Sequence, residues 1–132
     1  MDAATRELVR RRAAQRCEYC LLPQVAAPFF TFHIEHVRAK QHHGGDEIEN
    51  LALACPDCNR FKGPNLSAID PETGVPVPVF NPRTQSWQEH FALRGAEIVG
   101  RTPVGRATVA LLNMNEEPRL EMRLELLRTG EF

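Results

Sequence analysis

The chain has 132 residues, of which 42% are hydrophobic and 25% charged, and its net charge is −1. That is the balance of a globular protein of about one domain. No apolar run approaches the ~18–20 residues of a helical membrane span, which excludes a transmembrane helix, and bulk charge announces no nucleic-acid partner. The first segment, MDAATRELVRRRAAQR, has no apolar stretch of the kind that opens a secretory signal, so a cytoplasmic protein is expected.

In chain order, residues 3–16 are good helix formers without a breaker and predict a helix. Arg6, Arg10, Arg11, Arg12 and Arg16 outweigh Asp2 and Glu7 there. Arg6 and Arg10 share a face at i, i+4 spacing. The two readings are a solvated helix face and a phosphate-contacting stripe, with Arg12 and Arg16 as weak substrate-binding candidates because the segment runs into the cysteines. CEYCLLPQ is a knuckle turn closed by Pro23, and PFFTFHIEHV alternates and is rich in aromatic and β-branched residues, so it predicts a strand. RAKQHHGGDEIEN is a polar loop in which Gly44 and Gly45 are expected to supply positive φ. LALAC predicts a short buried strand. PDCNRFKG predicts a helix with Pro56 in its first turn, Asp57 at its positive end and Gly63-Pro64 as its stop.

The second half is turn-rich. Asp70-Pro71-Glu72-Thr73-Gly74 predicts a turn, and Pro76, Pro78 and Pro82 argue against long regular structure. Trp87 and Phe91 are expected in the core and AEIVG as a short strand. Helices are expected over PVGRATVALLNMN and PRLEMRLELLRTG, the latter with a Leu120, Leu124, Leu127 stripe for docking.

Cys17, Cys20, Cys55 and Cys58 are the only cysteines and form two CxxC pairs. In a reducing compartment a disulfide is disfavoured, and this spacing suits a four-thiolate structural zinc. An iron site or a redox dithiol pair is the lesser alternative. A four-thiolate site is coordinatively closed, so it staples the fold and leaves chemistry to other residues.

Those other residues gather around the staple. Glu35 and His36 end the first strand, Asn50 closes the loop, and Asn59 directly follows Cys58. A carboxylate and an amide oxygen are hard donors suited to magnesium or manganese. A neighbouring imidazole can take a proton from water near neutral pH. Together they are the minimum set for phosphodiester hydrolysis.

The stretch HIEHV…GGDEIENLALACPDCNRFKG, within residues 17–63, resembles the HNH endonuclease family in its zinc-bearing subgroup with two CxxC pairs. The resemblance implies an α+β fold: a small zinc-stapled ββα-metal finger, here with an N-terminal helix and a mainly helical C-terminal extension. It implies that His36 is the general base, that Glu35 and Asn59 hold a catalytic divalent ion, and that Asn50 pins the loop that orients the base. Glu35 departs from the more usual Asp, and Asn59 from the more usual His. His33, two residues before Glu35, is a further candidate that either touches metal or phosphate or packs beneath the loop. Lys62 is a weak substrate-binding candidate, its alternative being a solvated helix lysine, and His42 and His43 are expected to be solvated.

The reading is a metal-dependent HNH endonuclease acting on DNA, mostly through its backbone, with structural zinc and magnesium or manganese as cofactors. The rival is a non-catalytic zinc module that binds nucleic acid or protein through the same fold. Residues 1–66 are expected to form the finger with its basic helix, and residues 67–132 a segment packed on it as one domain. A homodimer is compatible with double-strand cleavage.

Overall fold

The computed structural model describes residues 1–132, which form two compact units. The first comprises Met1–Pro64 with Asn81–Thr84, and the second Asn65–Phe80 with Gln85–Phe132.

The first unit opens with helix α1 (Ala3–Arg12), whose N-cap Asp2 accepts a hydrogen bond from the Thr5 amide at 2.8 Å. It ends four residues before the predicted boundary. The Gln15 amide donates to the Arg10 carbonyl and the Ala14 amide to the Arg11 carbonyl, while Ala14 has φ 55°. This is a Schellman stop with alanine where glycine is usual, so no glycine betrays it in the sequence. Antiparallel strands β1 (His33–His36) and β2 (Leu51–Ala54) pair Glu35 with Ala52 and His36 with Leu51. Every residue of β2 is buried. Helix α2 (Pro56–Lys62) follows at once, with Pro56 in its first turn and Gly63 at its end in positive φ, as the sequence predicts. The order β1, loop, β2, α2 is the expected ββα finger.

Val9, Tyr19, Phe32, Leu51 and Leu53 form its apolar core, each worth roughly 1.5–3 kcal/mol when fully buried. Polar clamps close the edges. The Glu18 amide donates to the Leu53 carbonyl, and the Leu53 amide donates back to the Glu18 carboxylate, which also pairs with Arg83. Burial lowers the Arg83 guanidinium to about 10.

The second unit carries two hairpins as well as its helices. β3 (Ser67–Ile69) pairs with β4 (Pro76–Pro78) across the predicted Asp70–Gly74 turn, and β5 (Phe91–Arg94) pairs with β6 (Glu97–Gly100). Helices α3 (Trp87–His90), α4 (Pro103–Leu111) and α5 (Glu117–Thr129) complete it. The rings of Trp87 and Phe91 lie 5.1 Å apart. Asp70 is wholly buried and accepts from Arg106 through both oxygens, from the Glu72 amide and from Thr73 Oγ1. These bonds hold its carboxyl at about 2, the Arg106 contribution being largest. The predicted leucine stripe of α5 is not its buried face: Leu124 and Leu127 are exposed, and Arg123 and Leu126 are buried. The Arg123 guanidinium donates to the Ala96 and Met114 carbonyls, so one buried arginine sets the helix's rotation. No helix in the chain is long and apolar enough to cross a membrane.

Candidate functional site

The four cysteines meet as their spacing requires. Their sulfurs all lie within 4.8 Å of one another, all are buried, and Cys20 Sγ is 3.7 Å from Cys55 Sγ. Thiolates about 2.3 Å from a tetrahedral zinc sit about 3.8 Å apart, so this cluster fits the ion in both chemistry and size. Burial and the neighbouring sulfurs push the Cys17 and Cys58 thiols well up, a cost that a bound cation removes. Zinc held by Cys17, Cys20, Cys55 and Cys58 would join the knuckle to the first turn of α2. Cys55 is also the N-cap of that helix, its sulfur accepting from the Cys58 amide at 3.4 Å.

Asn59 is the residue after Cys58, so the staple fixes where its side chain starts. It lines a cleft of about 320 Å³ together with Ile34, Glu35, His36, Lys40 and Pro64. Three of the sequence candidates, Glu35, His36 and Asn59, therefore border one space. His33 does not: it is exposed at the outer end of β1, and the buried alternative considered for it is not seen.

His36 is held by a residue the sequence reading passed over. Its Nε2 lies 2.7 Å from Asp46 Oδ1. A carboxylate accepts only, so Nε2 is the nitrogen that donates to it, which leaves Nδ1 as the ring's other nitrogen. The same bond draws the Asp46 carboxyl below its usual range, with Lys40 assisting 3.6 Å away. The available signal was an acid following Gly44-Gly45 in the loop that returns towards His36.

Asn50 pins that loop. Its Oδ1 accepts from the Arg38 amide at 2.9 Å, and its Nδ2 donates to the carbonyls of Arg38 at 3.0 Å and Gly45 at 2.9 Å. Gly45 precedes Asp46, so Asn50 reaches His36 through the backbone of His36's own partner. The glycines serve differently from expectation. Neither Gly44 nor Gly45 has positive φ, which falls on His43 at 67°. A Cβ on Gly44 would lie 1.7 Å from the Arg38 carbonyl oxygen, so Gly44 is needed for close backbone approach.

Glu35 sits in a buried cluster. Its Oε2 accepts from Tyr19 Oη at 2.6 Å, and Oε1 lies 2.5 Å from Lys62 Nζ, with both side chains of that ion pair about 95% or more buried. Burial pushes the Glu35 carboxyl up, while Lys62 and Tyr19 oppose that shift. Lys62 therefore matches neither sequence reading. Its ammonium is buried: besides its ion pair with Glu35 it donates to the Val37 carbonyl at 2.9 Å and the His36 carbonyl at 3.4 Å. Tyr19, the residue between the knuckle cysteines that completes this cluster, was also missed. Only its place in the zinc turn could have flagged it.

Two of the basic residues of the first segment spend hydrogen bonds on backbone carbonyls. Arg12 forks to the Ile48 and Leu51 carbonyls at 2.9 and 2.6 Å, and Arg16 donates to the Leu21 carbonyl at 3.0 Å. These bonds make both guanidinium groups clamps on the finger, and partial burial lowers the Arg12 group. Arg6, Arg11 and Arg12 are exposed as residues, and Arg16 is half-buried.

The donor set around the cleft, one carboxylate and one amide oxygen beside an imidazole, fits a hard divalent ion in kind. Its carboxylate already carries a matching cation in Lys62. No curated protein and no solved structure matches the chain. Residues 17–65 match the family model described as HNH endonuclease, and the cleft residues Glu35, His36 and Asn59 all lie within that matched segment.

Proposed function

We propose that the chain is a metal-dependent endonuclease that hydrolyses DNA phosphodiester bonds. The observation that carries this reading is the convergence of Glu35, His36 and Asn59 on one cleft, with His36 oriented by Asp46. Nδ1 of His36 takes a proton from the attacking water. Asp46 stabilises the imidazolium that results and keeps the ring from turning. The water oxygen bonds to phosphorus, the bond to the 3′ oxygen breaks, and that oxygen takes a proton from solvent, so 5′-phosphate and 3′-hydroxyl ends are left. A divalent ion such as magnesium or manganese, bound through Glu35 and Asn59, would supply charge for the phosphate and the leaving oxygen. Structural zinc on the four cysteines fixes α2 and with it Asn59. Contacts to the DNA backbone dominate binding, which makes it sensitive to salt.

A second reading has one observation in its favour. Glu35 is already ion-paired with Lys62, as it would be in a zinc module that binds nucleic acid without cutting it. Incubating supercoiled plasmid with the zinc-loaded protein and added magnesium or manganese separates the two. Nicked product bearing ligatable 5′-phosphate ends supports the nuclease. Retarded but intact plasmid across both metals and a range of pH supports the module.

A further inference from the structure

The charges around the cleft cancel in pairs. Glu35 faces Lys62 inside the finger, and Asp46 faces His36 and Lys40 at the surface. Asn59 is neutral. A divalent cation that sheds part of its water shell needs surplus negative charge from its ligands. This wall offers none, because its one buried carboxylate is neutralised by a lysine that cannot easily leave. Lys62 Nζ is anchored to the carbonyls at the end of β1 as well as to Glu35, and the other Glu35 oxygen is held by Tyr19. Both holders belong to the zinc-joined arms: Tyr19 lies between Cys17 and Cys20, and Lys62 ends the helix that Cys55 caps. The groups that hold Glu35 are thus carried by the same two arms that the cysteine cluster brings together.

We infer that Lys62 is a positioning residue that makes cation binding at Glu35 and Asn59 conditional on a phosphodiester, whose negative charge the pocket lacks. This rests on the proposed cation site. It deepens that reading by giving an order of events: the divalent ion is retained only when nucleic acid arrives with it. The protein without substrate is then a poor magnesium or manganese binder despite a suitable donor set. Lys62 acts through Glu35 and touches neither water nor phosphate.

The test uses the full-length, zinc-loaded chain with His36→Ala, which prevents turnover. Manganese binding is followed by the loss of the free-ion electron paramagnetic resonance signal, with and without a short blunt DNA duplex. The duplex is expected to tighten the manganese Kd about tenfold or more, the effect of one added unit charge at close range in a partly buried site. Lys62→Met in the same background, with its zinc retained, is expected to bind manganese without duplex about tenfold more tightly than its parent. Equal manganese affinity with and without duplex overturns the inference, and that comparison needs no Lys62 variant to fold. A zinc-loaded Lys62→Met chain that binds manganese no better than its parent overturns it as well. The nuclease reading fails separately. A chain with unaltered His36 that takes up manganese only with duplex yet never cuts it loses the nuclease and keeps the conditional site. A chain that cuts but binds manganese equally well alone does the reverse.

Discussion

Replacing Asn50 by aspartate changes one atom of the side chain, and the structure makes it a severe change. Asn50 accepts one hydrogen bond from the Arg38 amide and donates two, to the carbonyls of Arg38 and Gly45. Alanine removes all three. At about 1 kcal/mol net for each bond, and with water replacing some of them in this half-exposed loop, Asn50→Ala should cost about 2 kcal/mol. Aspartate keeps the acceptor but sets a charged oxygen where Nδ2 stood, 3.0 and 2.9 Å from two carbonyl oxygens. Two lost donations plus that repulsion put Asn50→Asp at about 3 kcal/mol, worse than the truncation. The mismatch also disfavours the charged form, raising the new carboxyl above its unfolded value. Its penalty is therefore fully present above the folded pKa and fades as pH falls through it, when the protonated acid regains one donor. Urea unfolding of parent, Ala and Asp chains from pH 7 down to about 4 measures all three quantities. Hydrogen exchange over residues 38–46 locates the loosening. An Asp variant as stable as the parent at pH 7 would refute the pinning role of Asn50.

Three other outcomes follow from the same geometry. Stripping zinc with a chelator should unfold the first unit, since binding and folding are one process at such sites; circular dichroism unchanged after verified metal loss would contradict this. Asp46→Asn should slow plasmid nicking partially at full zinc occupancy, because it weakens the orientation of His36 without removing the base, and an unchanged rate would remove Asp46 from the site. Asp70 gains its stability through a carboxyl lowered from 3.8 to about 2, so that contribution is complete above about pH 4 and is lost as pH falls towards 2. Melting temperatures should accordingly show Asp70→Asn destabilising the chain at neutral pH, with the difference from the parent shrinking on acidification; a gap independent of pH would count against the pairing with Arg106.

Much of the finger was legible because its signals are local. CxxC spacing fixes a tetrahedron, Pro56 and Gly63 bracket α2, and an unbroken apolar run makes β2 a buried strand. The place of Asn59 on α2 was legible because it directly follows Cys58, one of the four clustered cysteines. What was not legible depends on where long side chains turn. Lys62, Arg12 and Arg16 look like surface cations in the sequence, and their heads fold back onto carbonyls that only the tertiary structure brings near. Glu35 looks like an open metal ligand until Tyr19 and Lys62 arrive from either side of it. The same holds for α5, where Arg123 is buried and sets the helix face in place of the leucines. The end of α1 escaped because a Schellman stop built on alanine has no compositional mark.

The most direct test is a single-turnover cleavage measurement on a labelled duplex with manganese, comparing the parent with His36→Ala at equal zinc content and equal thermal stability. The account predicts a rate lower by about 10²–10⁴ in the variant, the worth of a positioned general base. Equal rates in the two proteins would contradict it.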